Sequence, residues 1–170
     1  MAHIKPDNYN RFLKKYSDLK GIDLLIADLN GVLRGKRIQT SALEKVFQEG
    51  LLLPASVFAG DITGATVEET GLGITQGDSD RVCRPIPGTL SKSPWYKKSM
   101  AQVLMTMHEA DGNPFFADPR QVLKRIIGQI QELGFTAVVA VELEFYLLDI
   151  RRDRQKYPQP PISPVTGKRD

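Results

Sequence analysis

A long apolar segment of the chain reads Gly134-Phe135-Thr136-Ala137-Val138-Val139-Ala140-Val141-Glu142-Leu143-Glu144-Phe145-Tyr146-Leu147-Leu148-Asp149. Its β-branched and aromatic residues favour a strand, and its apolar character on both faces predicts a strand that is covered on both sides. Side chains alternate between the two faces of a strand, so Glu142 and Glu144 are expected on the same face, about 7 Å apart.

The two glutamates allow two interpretations. Two like charges in apolar surroundings are costly unless a cation offsets them. A hard divalent ion such as Mg²⁺ or Mn²⁺ prefers carboxylate oxygens, so Glu142 and Glu144 are candidate metal ligands. Alternatively, the strand end emerges into water and both glutamates are solvated. The pattern alone leaves both interpretations open.

The composition is that of a globular protein of one domain, or of one domain and part of another, because the chain has 170 residues, 41% of them apolar. The net charge of +3 is spread along the chain, and the basic cluster at residues 151–156 is typical of a solvated loop, so no nucleic-acid partner is expected. The single cysteine excludes an internal disulfide. Residues 1–20 lack a signal-peptide core and no apolar run reaches membrane-spanning length, so we expect a cytoplasmic protein without a membrane partner.

The front of the chain shows a helix followed by a β-hairpin. Apolar residues at helical spacing predict a helix over residues 8–20. Residues 22–28 and 32–38 are predicted strands, and Asn30-Gly31 favours a tight hairpin turn between them. This opening is typical of a mixed α+β domain and not of a parallel βαβ sheet.

Further elements complete the predicted first domain. Ser41 and Glu44 form a capping-box pattern at the start of a short helix. Residues 82–86 and 101–107 are predicted strands, and Trp95 is expected to pack beneath the hairpin that they form.

A turn at residues 111–114 is predicted to separate a first domain, residues 1–113, from a second, residues 114–170. In the second domain, Asp118 is a predicted N-cap, followed by proline at the first helical position. The chain after Asp149 is polar and proline-rich, which indicates an exposed loop or a disordered tail. A doubly covered strand needs further strands and helices, so we expect the second domain to be incomplete.

Several motifs, taken in order, resemble the glutamine synthetase family. Residues 142–149 resemble its E-x-E-F-F/Y-L-x-D segment, and residues 118–120 match the D-P-R that precedes the helix there. The front half resembles the small β-grasp domain of that family. Residues 84–90, 94–95 and 101–104 look closest to its γ-glutamylpolyamine synthetase branch. The similarity covers nearly the whole chain and corresponds to the N-terminal portion of the family's proteins.

The resemblance implies an α+β fold, in which a β-grasp-like N-terminal domain is followed by the beginning of a catalytic α/β domain. It also implies an ATP-dependent ligase that phosphorylates the side-chain carboxylate of glutamate, after which an amine displaces the phosphate. By the match, Glu144 would ligate a metal ion next to glutamate and Glu142 one next to the ATP phosphates. Family members are homo-oligomeric rings, with each active site between the β-grasp domain of one subunit and the catalytic domain of the next.

The sequence departs from the family in the loop that reaches the neighbouring site. Glutamine synthetases carry F-D-G-S-S there, and the aspartate helps to hold ammonium. Here Ala59 occupies the aspartate position, which favours a larger amine, such as the polyamine putrescine, over ammonia. Asp61, two residues later, is a candidate amine-site contact across a subunit interface, or else a turn aspartate. The remaining family ligands would lie beyond residue 170, so we expect this chain alone to be inactive.

Two other functions compete with this interpretation. Residues 24–33 resemble the nucleophile motif of haloacid-dehalogenase-like phosphatases, with Asp28 as the nucleophile. The second acid of that motif is replaced by Asn30, which cannot protonate a leaving group. Alternatively, the chain is a non-catalytic truncated remnant of the ligase family, or a module that acts only in assembly.

Overall fold

The computed structural model describes residues 7–169 and shows a mixed α+β fold, which confirms the predicted class. The helices within this range are α1 (Asp7–Lys15), α2 (Leu43–Glu49) and α3 (Pro119–Glu132). The strands are β1 (Ile22–Ala27), β2 (Leu33–Ile38), β3 (Leu51–Pro54), β4 (Asp80–Pro85), β5 (Ser91–Ser93) and β6 (Met100–His108). None of the described helices is both long and apolar enough to cross a membrane.

The strands form one sheet in the order β2-β1-β6-β4-β3, and β5 pairs with the long strand β6. The predicted hairpin is confirmed, because β1 and β2 pair antiparallel from Ile22 opposite Ile38 to Ala27 opposite Leu33. At its turn Gly31 has a φ of 76°, a backbone conformation that glycine adopts without strain. The central strands β1 and β6 run parallel, whereas β6 pairs antiparallel with β4 and β5.

The hydrophobic core lies on one face of this sheet. Alternate residues of β1 and β6 are buried there, as the period of two in a strand requires. These residues are Ile22, Leu24, Ile26, Ala101, Val103, Met105 and Met107. Tyr9 of α1 and Leu43 and Val46 of α2 belong to the same buried cluster. The helices cover the face that the alternation makes apolar.

Two local predictions for the helices of the first domain were wrong. Helix α1 ends at Lys15 rather than at residue 20. The capping box does not form: α2 follows a 3₁₀ turn, its N-cap is Ala42, and no side chain caps it. The carboxylate of Glu44 instead accepts hydrogen bonds from the Tyr9 hydroxyl and the Gln48 side chain. These contacts occupy the Glu44 carboxylate, which a capping box would need as the acceptor for the N-cap amide.

Trp95 does not pack beneath the hairpin, because 65% of it is exposed. The short strand β5, which the sequence did not predict, pairs with β6 just before it. The neighbouring Tyr96 is also exposed, at 38%, but its hydroxyl donates to Asp23 over 2.9 Å. A polar ring with a hydroxyl suits this site because Asp23 supplies an acceptor.

The start of α3 agrees with the prediction. Asp118 is the N-cap, its side chain accepts a hydrogen bond from the Arg120 amide, and proline follows it. The same carboxylate is almost fully buried and also accepts from the Thr106 hydroxyl and the Met107 amide of β6. One residue therefore both starts the helix and ties it to the sheet.

The chain divides into two compact units between Thr136 and Ala137. The sheet and all three helices belong to the first unit, and the predicted boundary at residue 113 stays a prediction. In the second unit no strand forms along the apolar segment, and the side chains of residues 137–148 are exposed. The predicted covered strand is absent because no described strand pairs with it, and an unpaired strand is not stable in water.

The rest of the second unit is an exposed loop with its own hydrogen bonds. The Asp149 amide donates to the Gln159 carbonyl, and the Asp149 carboxylate lies 2.9 Å from the Arg169 guanidinium. The Asp153 carboxylate accepts from the Tyr157 amide. Of the two predicted alternatives, an exposed loop or a disordered tail, the exposed loop describes this segment. Its basic residues at 151, 152, 154 and 156 are exposed.

Candidate functional site

Glu142 and Glu144 lie in the exposed apolar segment, and both side chains are open to water. Within the described part of the chain no group of three or more histidine, cysteine, aspartate or glutamate side chains is arranged to hold a metal ion. Two carboxylates two residues apart fit Mg²⁺ or Mn²⁺ as part of a ligand shell, since Mg²⁺ takes about six oxygen ligands and keeps several waters. Their role as metal ligands stays a prediction.

Asp61 organises the loop of residues 59–66, which we call the Asp61 loop. Its Oδ1 accepts hydrogen bonds from the Thr63 amide (2.8 Å), the Thr63 hydroxyl (2.7 Å) and the Ala65 amide (3.0 Å). The Asp61 amide donates to the Ala65 carbonyl, and Gly60 and Thr66 form an isolated β-bridge. No hydrogen bond among residues 7–169 uses Oδ2 of Asp61. The carboxylate thus shapes the loop with one oxygen and leaves the other available.

The charge of Asp61 is stabilised inside the loop. The Thr63 hydroxyl, followed by the Ala65 amide, lowers the pKa of this carboxyl below its ordinary value. Hydrogen bonds to a carboxylate favour the charged form, so Asp61 is anionic at neutral pH. An anionic oxygen at the surface of the loop suits a cationic amine. Its contact with such an amine stays a prediction.

Asp28 has a structural role that excludes it as a nucleophile. Its side chain is fully buried, and Oδ1 accepts hydrogen bonds from the Asn30 and Val32 amides. Oδ2 accepts from Nε of Arg34 over 2.9 Å. Both oxygens are therefore engaged in closing the turn that follows β1, between Ala27 and Leu33. Asp28 is therefore not available as the nucleophile that the phosphatase interpretation requires.

The ion pair of Asp28 predicts a pH dependence of stability. Burial alone would raise the pKa of Asp28, but the Arg34 side chain and the Val32 and Asn30 amides outweigh burial and hold it below its ordinary value of 3.8. A group whose pKa is lower in the folded state adds stability above its ordinary pKa and loses it as the pH falls. We expect the free energy of unfolding, measured by urea titration, to stay level above about pH 5 and to drop as the pH falls further through the lowered pKa of Asp28, and to drop less in Asp28→Asn. Equal slopes in both proteins would contradict this assignment.

The structure also places Arg34 and Asn30 against the Asp61 loop. The Asn30 side-chain amide donates to the Gly60 carbonyl over 2.8 Å. A Cβ added to Gly64 would lie 3.4 Å from Nη1 of Arg34. Arg34 was not among the residues predicted from the sequence. The predicted hairpin nevertheless pairs Arg34 with Ile26 near the end of β1, so the strand pattern could have identified its position.

Comparison with known proteins agrees with the motifs. The family model of the glutamine synthetase catalytic domain matches residues 116–170. The chain is 48% identical over 160 residues to gamma-glutamylputrescine synthetase PuuA of Escherichia coli (strain K12), covering 94% of this chain and 34% of that protein. It is 33% identical over 130 residues to a glutamine synthetase of Pyrococcus abyssi (strain GE5 / Orsay), covering 75% and 26%. It is 33% identical over 142 residues to a glutamate–isopropylamine ligase of a Pseudomonas species, covering 81% and 30%.

Two solved structures share the fold. One, described as a novel glutamine synthase homologue, aligns with a TM-score of 0.59 at 18% identity and covers 68% of this chain and 27% of its own. The other, described as a complex of GmaS with ADP, aligns with a TM-score of 0.57 at 22% identity and covers 74% and 26%. The chain spans about a third of the length of these relatives, or less. Because a family model and curated relatives agree along the sequence, the chain belongs to the glutamine synthetase family.

Proposed function

We propose that this chain is the N-terminal part of an ATP-dependent ligase that joins the γ-carboxylate of glutamate to an amine through a γ-glutamyl phosphate. The observation that carries the proposal is the 48% identity over 94% of the chain to a protein named gamma-glutamylputrescine synthetase. Identity to the proteins named glutamine synthetase is lower, at 31% to 34%.

The amine in this proposal is a polyamine such as putrescine rather than ammonia. Ala59 stands where the resemblance places an ammonium-binding aspartate, and it is 1% exposed. A buried methyl group offers no acceptor to a cation. Asp61 supplies an anionic oxygen two residues later, at the surface of the loop. A displaced acceptor leaves room for an amine that carries an alkyl chain.

Glu142 and Glu144 would hold Mg²⁺ or Mn²⁺ in the complete site. Such ions supply charge neutralisation and orientation to phosphoryl transfer from ATP. In the proposed arrangement Glu144 would ligate the metal ion next to glutamate, and Glu142 would ligate the metal ion next to the ATP phosphates. Both side chains are exposed in this chain and are free to take part in a shared site.

The complete enzyme would act as a homo-oligomeric ring in which the Asp61 loop of one subunit meets the site of its neighbour. The alternative is a non-catalytic module that acts only in assembly, and an activity assay in a complete ligase separates the two.

A chimaera tests the proposal. Residues 1–170 replace the aligned segment of Escherichia coli PuuA, and formation of γ-glutamyl amides is assayed with ATP, Mg²⁺, glutamate and each of putrescine, isopropylamine and ammonia. We expect activity with putrescine and a kcat/KM at least about tenfold lower with ammonia, because the site is built around an alkylamine. A chimaera that folds and assembles but makes no amide would support the non-catalytic module, and a preference for ammonia would refute the polyamine assignment.

A further inference from the structure

The Asp61 loop rests on the turn between β1 and β2. Its first contact is the hydrogen bond from the Asn30 side chain to the Gly60 carbonyl, at 2.8 Å. The guanidinium of Arg34 lies beside the same loop: Nη2 is 3.8 Å from the position that a Cβ atom on Gly60 would take, and Nη1 is 3.4 Å from the corresponding position on Gly64.

Arg34 is itself held in place by the buried Asp28. Nε donates to Oδ2 of Asp28 over 2.9 Å, and the Arg34 side chain is 33% exposed, whereas that of Asp28 is not exposed at all. The other oxygen of Asp28 is bound by two backbone amides of the turn. A carboxylate with this many fixed donors does not rotate freely, so the direction of the guanidinium is set by the hairpin.

We propose that Arg34 is a positioning residue that, held by Asp28, fixes the Asp61 loop so that the available oxygen of Asp61 is presented to the amine substrate. This inference rests on the proposed function. The guanidinium suits the role because Nε binds the buried carboxylate while the planar Nη end lies against the loop. A lysine ammonium has only one donor centre and cannot do both. Asn30 holds the same loop through its hydrogen bond to the Gly60 carbonyl.

The chain offers a matched control for Arg34. Arg37 lies on the same strand and also pairs with a β1 aspartate, Asp23, with Nε 2.7 Å from Oδ1 and Nη2 3.1 Å from Oδ2. Tyr96, not the Asp61 loop, is its other partner. Loss of Arg37 removes a comparable ion pair from the hairpin and leaves the contacts of the Asp61 loop intact.

Hydrogen exchange in the 170-residue chain tests the positioning directly. The amides of Asp61, Gly64 and Ala65 are hydrogen-bonded within the loop. In Arg34→Gln and in Asn30→Ala we expect these amides to exchange about tenfold faster or more, because the loop opens without unfolding the sheet. In Arg37→Gln their exchange stays at the wild-type rate. Asn30→Ala removes only a side-chain contact at the surface, so it keeps the test valid if Arg34→Gln does not fold.

Steady-state kinetics in the PuuA chimaera provide the functional measurement. We expect Arg34→Gln to raise the KM for putrescine by about tenfold and to leave the KM values for ATP and glutamate unchanged, because only the amine contact is displaced. Arg37→Gln is expected to change none of the three.

The outcomes separate the two proposals. Unchanged loop exchange in both Arg34→Gln and Asn30→Ala overturns the positioning role, whatever the chimaera does. Faster loop exchange with an unchanged KM for putrescine also overturns it, since the loop then does not serve the amine. A wild-type chimaera without ligase activity refutes the proposed function, while the exchange data still decide whether Arg34 fixes the loop.

Discussion

Replacing Glu142 or Glu144 by glutamine is expected to lower Mg²⁺-dependent γ-glutamyl amide formation by the PuuA chimaera about 100-fold, the size of effect seen when one charge-stabilising group is removed from a transition state. Each substitution removes a charged oxygen ligand and hardly changes the shape of the side chain. The loss should be partly recovered at high Mg²⁺. Glu144→Gln should mainly disturb glutamate activation, and Glu142→Gln mainly the handling of the ATP phosphates. A Mg²⁺ titration of steady-state rates for each variant measures both effects.

Two control variants accompany this prediction. Glu132→Gln changes an exposed glutamate at the end of α3 and should leave the rate unchanged. Leu143→Gln changes the residue between the two glutamates, and Leu143 is 80% exposed in this chain. In the chain alone we therefore expect no loss of stability from it. Wild-type rates at low Mg²⁺ in both glutamine variants would show that Glu142 and Glu144 are merely solvated.

The largest loss of stability is expected for Phe115→Ala. Phe115 is 1% exposed, its ring stacks on that of Phe58 with the centroids 5.8 Å apart, and the Arg81 guanidinium lies 5.6 Å from its centroid. Truncating a buried phenylalanine removes apolar contacts and leaves a cavity, at a cost of about 3–5 kcal/mol in the free energy of unfolding. Urea denaturation followed by circular dichroism measures the difference.

The adjacent residue supplies the matched control. Phe116 is 64% exposed, so Phe116→Ala should cost less than about 1 kcal/mol. The two variants differ by one position in the sequence and share the same chemistry, which isolates burial as the cause. Equal losses in both would mean that Phe115 does not occupy the core.

Local signals in the sequence predicted the elements that depend on neighbouring residues. The hairpin follows from two strand patterns around Asn30-Gly31, and α3 begins at Asp118 because a carboxylate before a proline caps a helix. The family likewise follows from motifs in order along the chain, and curated relatives agree with it. Local propensity did not predict β3 and β5, which have four and three residues and exist because β4 and β6 pair with them.

Long-range contacts decided the candidate site. The sequence places Glu142 and Glu144 in a strand, yet the strand does not form, since a strand needs a hydrogen-bonding neighbour that its own residues cannot supply. The sequence presents Asp28 as a candidate nucleophile, and only the folded hairpin brings Arg34 onto it and occupies both of its oxygens. The sequence alone determines the turn, the helix cap and the family, because each depends on residues close together in the chain. The tertiary structure determines which carboxylates are free, because that depends on the donors that folding brings to them from elsewhere.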